Sequence, residues 1–210
     1  MGTRNVTVVI HKGEVKMAQY GQWDGYPSGV GKDIAKVLQK APIKKWREAI
    51  SNCKFLTETQ VEERWKKAGA DGSGWVNMDV SEKFKQNNEI LSRDSSGGKA
   101  LELILKNNGA EIFNNIEFAG DSLFCEWAYV VDLDKQMVEV YKGFNNEPLT
   151  KNDRFFFLQK TTKKTDEAGD NTYFPVKLYK TYKFKSFTTR AMAALEKKMN
   201  AEAEAEEAKA

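Results

Sequence analysis

Between Ala18 and Lys32 the chain reads AQYGQWDGYPSGVGK, which gathers four glycines, one proline, three aromatic rings and one carboxylate into a single stretch. Aromatic faces beside a carboxylate hold flat or cationic ligands by stacking and charge, and Trp23, Asp24 and Tyr26 form such a set. The same side chains also suit a locked loop, with Asp24 capping a turn and the rings half buried against a sheet edge. As a ligand site the cluster draws in Gln19, Tyr20 and Gln22 from its own strand end, with Arg4 and Glu126 expected to line the same cavity.

The loop closes on Gly29 to Lys32, GVGK, where a turn runs into a helix. Unpaired first-turn amides and the helix dipole attract anions there, so Gly29, Gly31 and Lys32 are candidate anion contacts. Glycines that permit positive φ in a tight turn explain the same tetrapeptide. A phosphate-binding P-loop is excluded, because Gly25 stands one residue too far from Gly31 and Asp33, not Ser or Thr, follows Lys32.

Other chemistry is sparse. His11 is the sole histidine and sits at an expected hairpin turn, which removes Ser-His-Asp and Cys-His catalysis and any multi-histidine metal site; it reads as an exposed turn residue. Asp132 and Asp134, helped by Glu126, have the spacing to bind a hard cation, yet DLDK is also an ordinary hairpin turn, and the turn is the reading adopted. Cys53 and Cys125 form no CxxC pair, so neither a disulfide scaffold nor a zinc site is indicated, and a reducing compartment follows. With no basic residue beside it, Cys125 reads as a buried structural thiol. No metal or cofactor is expected.

The elements that must position these residues follow from periodicity. Thr3 to Ile10 alternates around Val6, Val8 and Ile10, His11 to Glu14 turns, and Val15 to Tyr20 returns, which predicts a β-hairpin. Ile34, Val37 and Leu38 mark a helix from Gly31, Pro42 opens a second with Ile43, Trp46 and Ile50, and Thr57 to Gln60 has the form of a capping box for a third. Gly69 to Gly74 breaks that helix, Asp79 is expected to cap a fourth, and Lys99 to Asn108 forms a fifth. Phe124 to Val131, the turn Asp132 to Lys135, and Met137 to Tyr141 predict a second hairpin. Arg154 to Gln159 and Tyr173 to Phe184 are two further strands flanking an exposed loop at 160–171. A last helix runs from Phe187 to Met199 and continues into AEAEAEEAKA, which has helix propensity but no apolar stripe. The order strands, helices, strands predicts an α+β fold whose C-terminal strands complete an antiparallel sheet. Residues 1–185 form one domain and 186–210 a helix with a solvated tail.

At 210 residues and 40% hydrophobic content the chain can bury a full core. Its 33 basic and 30 acidic residues leave a net charge of +3, with no one-signed field to steer it to nucleic acid. The apolar run at the start of the chain is too short for a signal peptide or a span, so cytoplasmic placement is expected and no membrane partner is. Gly2 is followed at position 6 by Val6, where N-myristoylation wants Ser or Thr.

Two blocks, MGTRNVTVVI with MAQYGQWDGYPSGVG and later DSLFCEWAYVVDLDKQMVEVYKGF, resemble a family of uncharacterised proteins of fungi and bacteriophages. That resemblance implies membership and no known activity. More loosely, the opening hairpin with Asp24 after its second strand is similar to the Ntn-hydrolase fold, whose layers and N-terminal nucleophile would make Thr3 catalytic, with Asp24, Arg4 and Asn5 orienting substrate. Loss of Met1 alone exposes Gly2, so that chemistry needs further trimming to free the Thr3 amine. The expectation is therefore a noncatalytic binding protein, in the manner of a phage accessory factor, that engages a small molecule or a host protein through Gln19 to Lys32. An Ntn-type amide hydrolase processed to Thr3 is the alternative.

Overall fold

The computed structural model describes residues 2–73, 75–92, 94–160, 164–165 and 172–207. Alternating apolar residues form β1 (Asn5–His11) and β2 (Glu14–Gly21), an antiparallel hairpin, and β5 (Trp127–Asp132) and β6 (Met137–Lys142), another. The two hairpins join through parallel pairing of β1 with β5, Val6 opposite Ala128 and Val8 opposite Val130. With β9 (Lys177–Lys183) added antiparallel to β6, the sheet runs β2-β1-β5-β6-β9. The fold is thus α+β, with a mostly antiparallel sheet that one parallel pair interrupts.

Strand alternation sends the two faces into different cores. Val9, Met17, Tyr129, Val131, Val138 and Val140 meet a helical layer of α1 (Lys32–Leu38), α2 (Ile43–Ser51), α5 (Gly97–Asn107) and α6 (Thr189–Glu207). Val6, Val8, Ile10, Ala128, Val130 and Tyr141 instead meet irregular chain carrying Ala119, Leu149, Phe155, Leu158 and Val176. The terminal helix α6 begins at Thr189 and buries Met192, Leu195 and Met199 in the helical core. A satellite cluster holds α3 (Glu58–Ala68) against α4 (Met78–Asn87), with the Trp65 and Phe84 rings stacked at 3.7 Å.

Local signals were faithful at several helix ends. Thr57 and Gln60 form the reciprocal capping box of α3, and Gly69 ends that helix with φ of 105°. The cap of α4 is Asn77, whose side chain accepts from the Val80 amide, rather than Asp79, which lies inside the first turn. Lys54–Phe55 (β3) and Glu111–Ile112 (β4) make a short parallel ladder that the sequence pattern did not announce.

Three further expectations need correction. Arg154 to Gln159 is not a strand but a turn and a single 3-10 turn over Phe156–Leu158. Phe155 and Leu158, three apart, join one core cluster there, whereas extended chain would send them to opposite faces. Tyr173 to Phe184 is not one strand, because Pro175 separates β8 (Thr172–Tyr173) from β9 and cannot donate to a ladder. Lys164–Thr165 (β7) pairs with β8, and of the loop expected over 160–171, residues 161–163 and 166–171 lie outside the described residues.

His11 is the third. It is the last residue of β1 and only 7% exposed, with Nδ1 2.9 Å from Asp134 Oδ1. Parallel pairing of β1 with β5 sets the two hairpin turns side by side, and that neighbour covers the imidazole.

Candidate functional site

The stretch from Gln19 to Lys32 crosses the end of the sheet where β1 begins and β2 ends. Asp24 takes a left-handed φ of 51°, a conformation that Asp tolerates, and this lets the chain fold back so that the Val30 amide donates to the Asp24 carbonyl at 2.8 Å. The Gly25 amide donates to the Thr3 carbonyl at 2.9 Å, and the buried Tyr129 hydroxyl donates to the Gly25 carbonyl at 2.7 Å. Pro27 to Gly31 forms a helical turn, kinked at Gly29, that leads directly into α1.

Close approach, not positive φ, explains the loop glycines. A Cβ on Gly29 would lie 2.2 Å from the Asp24 carbonyl oxygen, and one on Gly31 would lie 3.0 Å from the Tyr129 ring and 3.1 Å from Met192 Sδ. The glycines therefore let the loop press onto β5 and α6. At the start of this turn the Ser28 amide donates to Glu196 Oε2 of α6 at 2.7 Å. The Gly29 and Val30 amides donate to the Tyr26 and Asp24 carbonyls, and the Lys32 amide to the Gly29 and Pro27 carbonyls.

The proposed ligand residues divide into three groups. Trp23 is 49% exposed and its indole Nε1 donates to Asp94 Oδ1 at 3.3 Å, while Asp24 accepts the Tyr26 hydroxyl at 3.1 Å. That hydrogen bond and the Asp24 charge raise the Tyr26 pKa above its ordinary value. On the opposite side of the sheet end, the Arg4 guanidinium lies 4.5 Å over the Phe124 ring, the Arg4 amide donates to Glu126 Oε1, and the Tyr20 hydroxyl donates to Gln22. Tyr20 also meets Phe118 edge to face. Gln19 is turned inward, 2% exposed, with Nε2 donating to the Ile90 carbonyl, whereas Gly29, Gly31 and Lys32 serve the junction with α1. Arg4 and Glu126 are thus neighbours of one another, while Asp24 turns its carboxylate to Tyr26.

Asp94, the acceptor of the Trp23 indole, also walls a cleft of about 460 Å³ together with Trp65, Val76, Phe84, Lys85 and Leu91. Asp94 belongs to both features, since its Oδ2 accepts Lys85 Nζ at 2.8 Å while Oδ1 accepts the Trp23 indole. Past Val76 a second hollow of about 440 Å³ opens between Trp65 and Trp75, the latter 88% exposed. Neither Asp94 nor Trp75 was singled out by sequence reasoning. Asp94 is 71 residues from Trp23, beyond any local pattern, whereas Trp75, in a glycine-rich break between helices, did carry a signal.

Burial pushes the Cys53 thiol up to about 11 and the Cys125 thiol well above its ordinary value, so both are held as thiols. Among the described residues no group of three His, Cys, Asp or Glu side chains is placed to hold a metal ion, and no helix is long and apolar enough to cross a membrane. Asp132 caps its own turn by accepting the Asp134 and Lys135 amides. No family model, curated protein or solved structure matches the chain.

Proposed function

We propose that this chain is a noncatalytic binding protein that takes up a small ligand or a host protein, as a phage accessory factor would, on the exposed rim of Gln19 to Lys32. One observation carries the reading: the half-exposed Trp23 indole is held by Asp94, the same carboxylate that walls the cleft. Exposed tryptophan is a strong anchor because it offers large, rigid apolar area at small entropic cost. The loop beneath is bonded to β1, β5 and α6, so the anchor is presented preorganised.

Thermal-shift screening tests this directly. A compound or host protein that raises the Tm of the parent chain is expected to lose that effect on Trp23→Ala, while the unbound variant melts within a few degrees of the parent. An unchanged ligand-induced shift in Trp23→Ala refutes the site. A second reading, amide hydrolysis by Thr3, draws on the Thr3 carbonyl accepting the Gly25 amide, which sets Thr3 beside the Asp24 turn. It requires a chain that begins at Thr3, and intact mass of the active protein decides whether one exists.

A further inference from the structure

The face of the sheet beneath the loop carries an unusual polar group. Asn5 and Thr7 on β1 and Gln19 on β2 share the side of the sheet that Val9 and Met17 bury against helices, and Ser95 lies in the turn before α5. Their exposures are 0%, 0%, 2% and 0%. Segment 95–96 sits directly over the Asn5–Gly21 pair: a Cβ on Gly21 would lie 2.5 Å from Ser96 Oγ and 2.7 Å from Asn5 Nδ2.

Each of these side chains has a polar atom that no described residue satisfies: Asn5 Oδ1, Thr7 Oγ1, Gln19 Oε1 and Ser95 Oγ. The two amides cannot simply be turned over. Asn5 Nδ2 already donates to the Gly21 and Trp23 carbonyls at 3.4 and 3.3 Å, and Gln19 Nε2 to the Ile90 carbonyl at 3.1 Å. The unsatisfied amide oxygens can therefore only accept, whereas the two hydroxyls can donate or accept. Buried polar atoms without partners cost as much as the hydrogen bonds they forgo, and such groups in native interiors are satisfied by protein or by ordered water.

We propose that these four side chains form an internal water site beneath the recognition loop. The group they require gives hydrogens to two amide oxygens and takes them from two hydroxyls, and water supplies both capacities. An anion is excluded by the two carbonyl-type acceptors. The site also bears on Trp23. Asn5 holds the Trp23 carbonyl, Gln19 holds Ile90, and Ser95 follows Asp94, so the water fixes the backbone on both sides of the Trp23–Asp94 hydrogen bond.

Thr7→Val and Ser95→Ala test the site, since each removes one hydroxyl with almost no change of shape. With bridging water present, each variant lowers Tm by a few degrees and shifts the Trp23 indole N–H resonance. The parent protein then shows a long-lived water by nuclear Overhauser contact to the Asn5 and Gln19 side-chain amides. Either variant raising Tm, or no water contact at those amides, overturns the proposal. Replacing potassium or sodium chloride with choline chloride at equal ionic strength leaves Tm unchanged if water is the occupant; a dependence on the small cation assigns the four oxygens to an ion instead and equally overturns it. The result is independent of ligand binding at the rim, which Trp23→Ala reads separately.

Discussion

Asp134 shows how one side chain ties two turns together. The Gly13 and Lys12 amides, and then His11, hold its carboxyl down at about 2 from an ordinary 3.8. Because the folded value lies below the unfolded one, the stability it adds is present above about pH 3.8 and is lost as pH falls toward 2. Asp134→Asn is therefore expected to lower stability at neutral pH and to flatten its decline between those two values, measured by urea unfolding at a series of pH. The Asp134 side chain is 36% exposed, so solvent screening keeps the effect modest. An exposed turn histidine was a fair reading of HKGE; only the neighbouring hairpin, more than a hundred residues away in sequence, could bury it.

Among the elements, the irregular chain from Phe144 to Leu158 is fastened to the sheet by ion pairs of Arg154 with Glu139 and Asp132 and of Glu147 with Lys177. Arg154 Nε and Nη2 reach the Glu139 carboxylate at 2.6 and 2.8 Å, and the Tyr141 hydroxyl donates to it at 2.7 Å. Burial works to raise the Glu139 pKa, but the Arg154 and Tyr141 hydrogen bonds outweigh it and the group is held below its usual range. Arg154→Met takes the cation from the largely buried Glu139 carboxylate and from the buried Asp132 beside it, and is expected to cost about 3 kcal/mol by chemical denaturation. Replacing both partners with apolar residues should recover much of the loss, and a double-mutant cycle measures the difference. The sequence read Arg154 to Gln159 as a strand because its aromatic run matches strand composition; the competing three-residue spacing of Phe155 and Leu158 decided otherwise.

At the scale of the molecule, the five-stranded sheet leaves two edges, β2 and β9. Strand β9 exposes Lys177, Lys180 and Lys183 along a stretch that otherwise carries Leu178, Tyr179 and Tyr182. Edge lysines discourage pairing with a second chain, because adding a strand would bury or crowd their charges. Lys180→Val with Lys183→Val is expected to leave the fold intact and to promote association, seen as light scattering that rises with concentration more steeply than the parent's; a variant that scatters no more than the parent would refute the role. The two most exposed large apolar residues lie elsewhere, Trp75 just before α4 and Met78 at its start, 88% and 79% exposed, and Trp75 lines the hollow beside Trp65.

The α+β class, both hairpins, the helical middle and the capping box of α3 were legible in the chain, because strand alternation, helical spacing and caps are set by neighbours a few residues apart. The stretch from Gln19 to Lys32 was legible too as a special segment, from its glycines and rings. What those residues face was decided by tertiary structure alone. Parallel pairing of β1 with β5 brings Tyr129 under Gly25, packing of α6 brings Glu196 to the Ser28 amide, and the turn before α5 brings Asp94 to Trp23. Those contacts span from 71 to 168 residues, and no pattern in a local window encodes which distant group will satisfy a given amide, hydroxyl or indole.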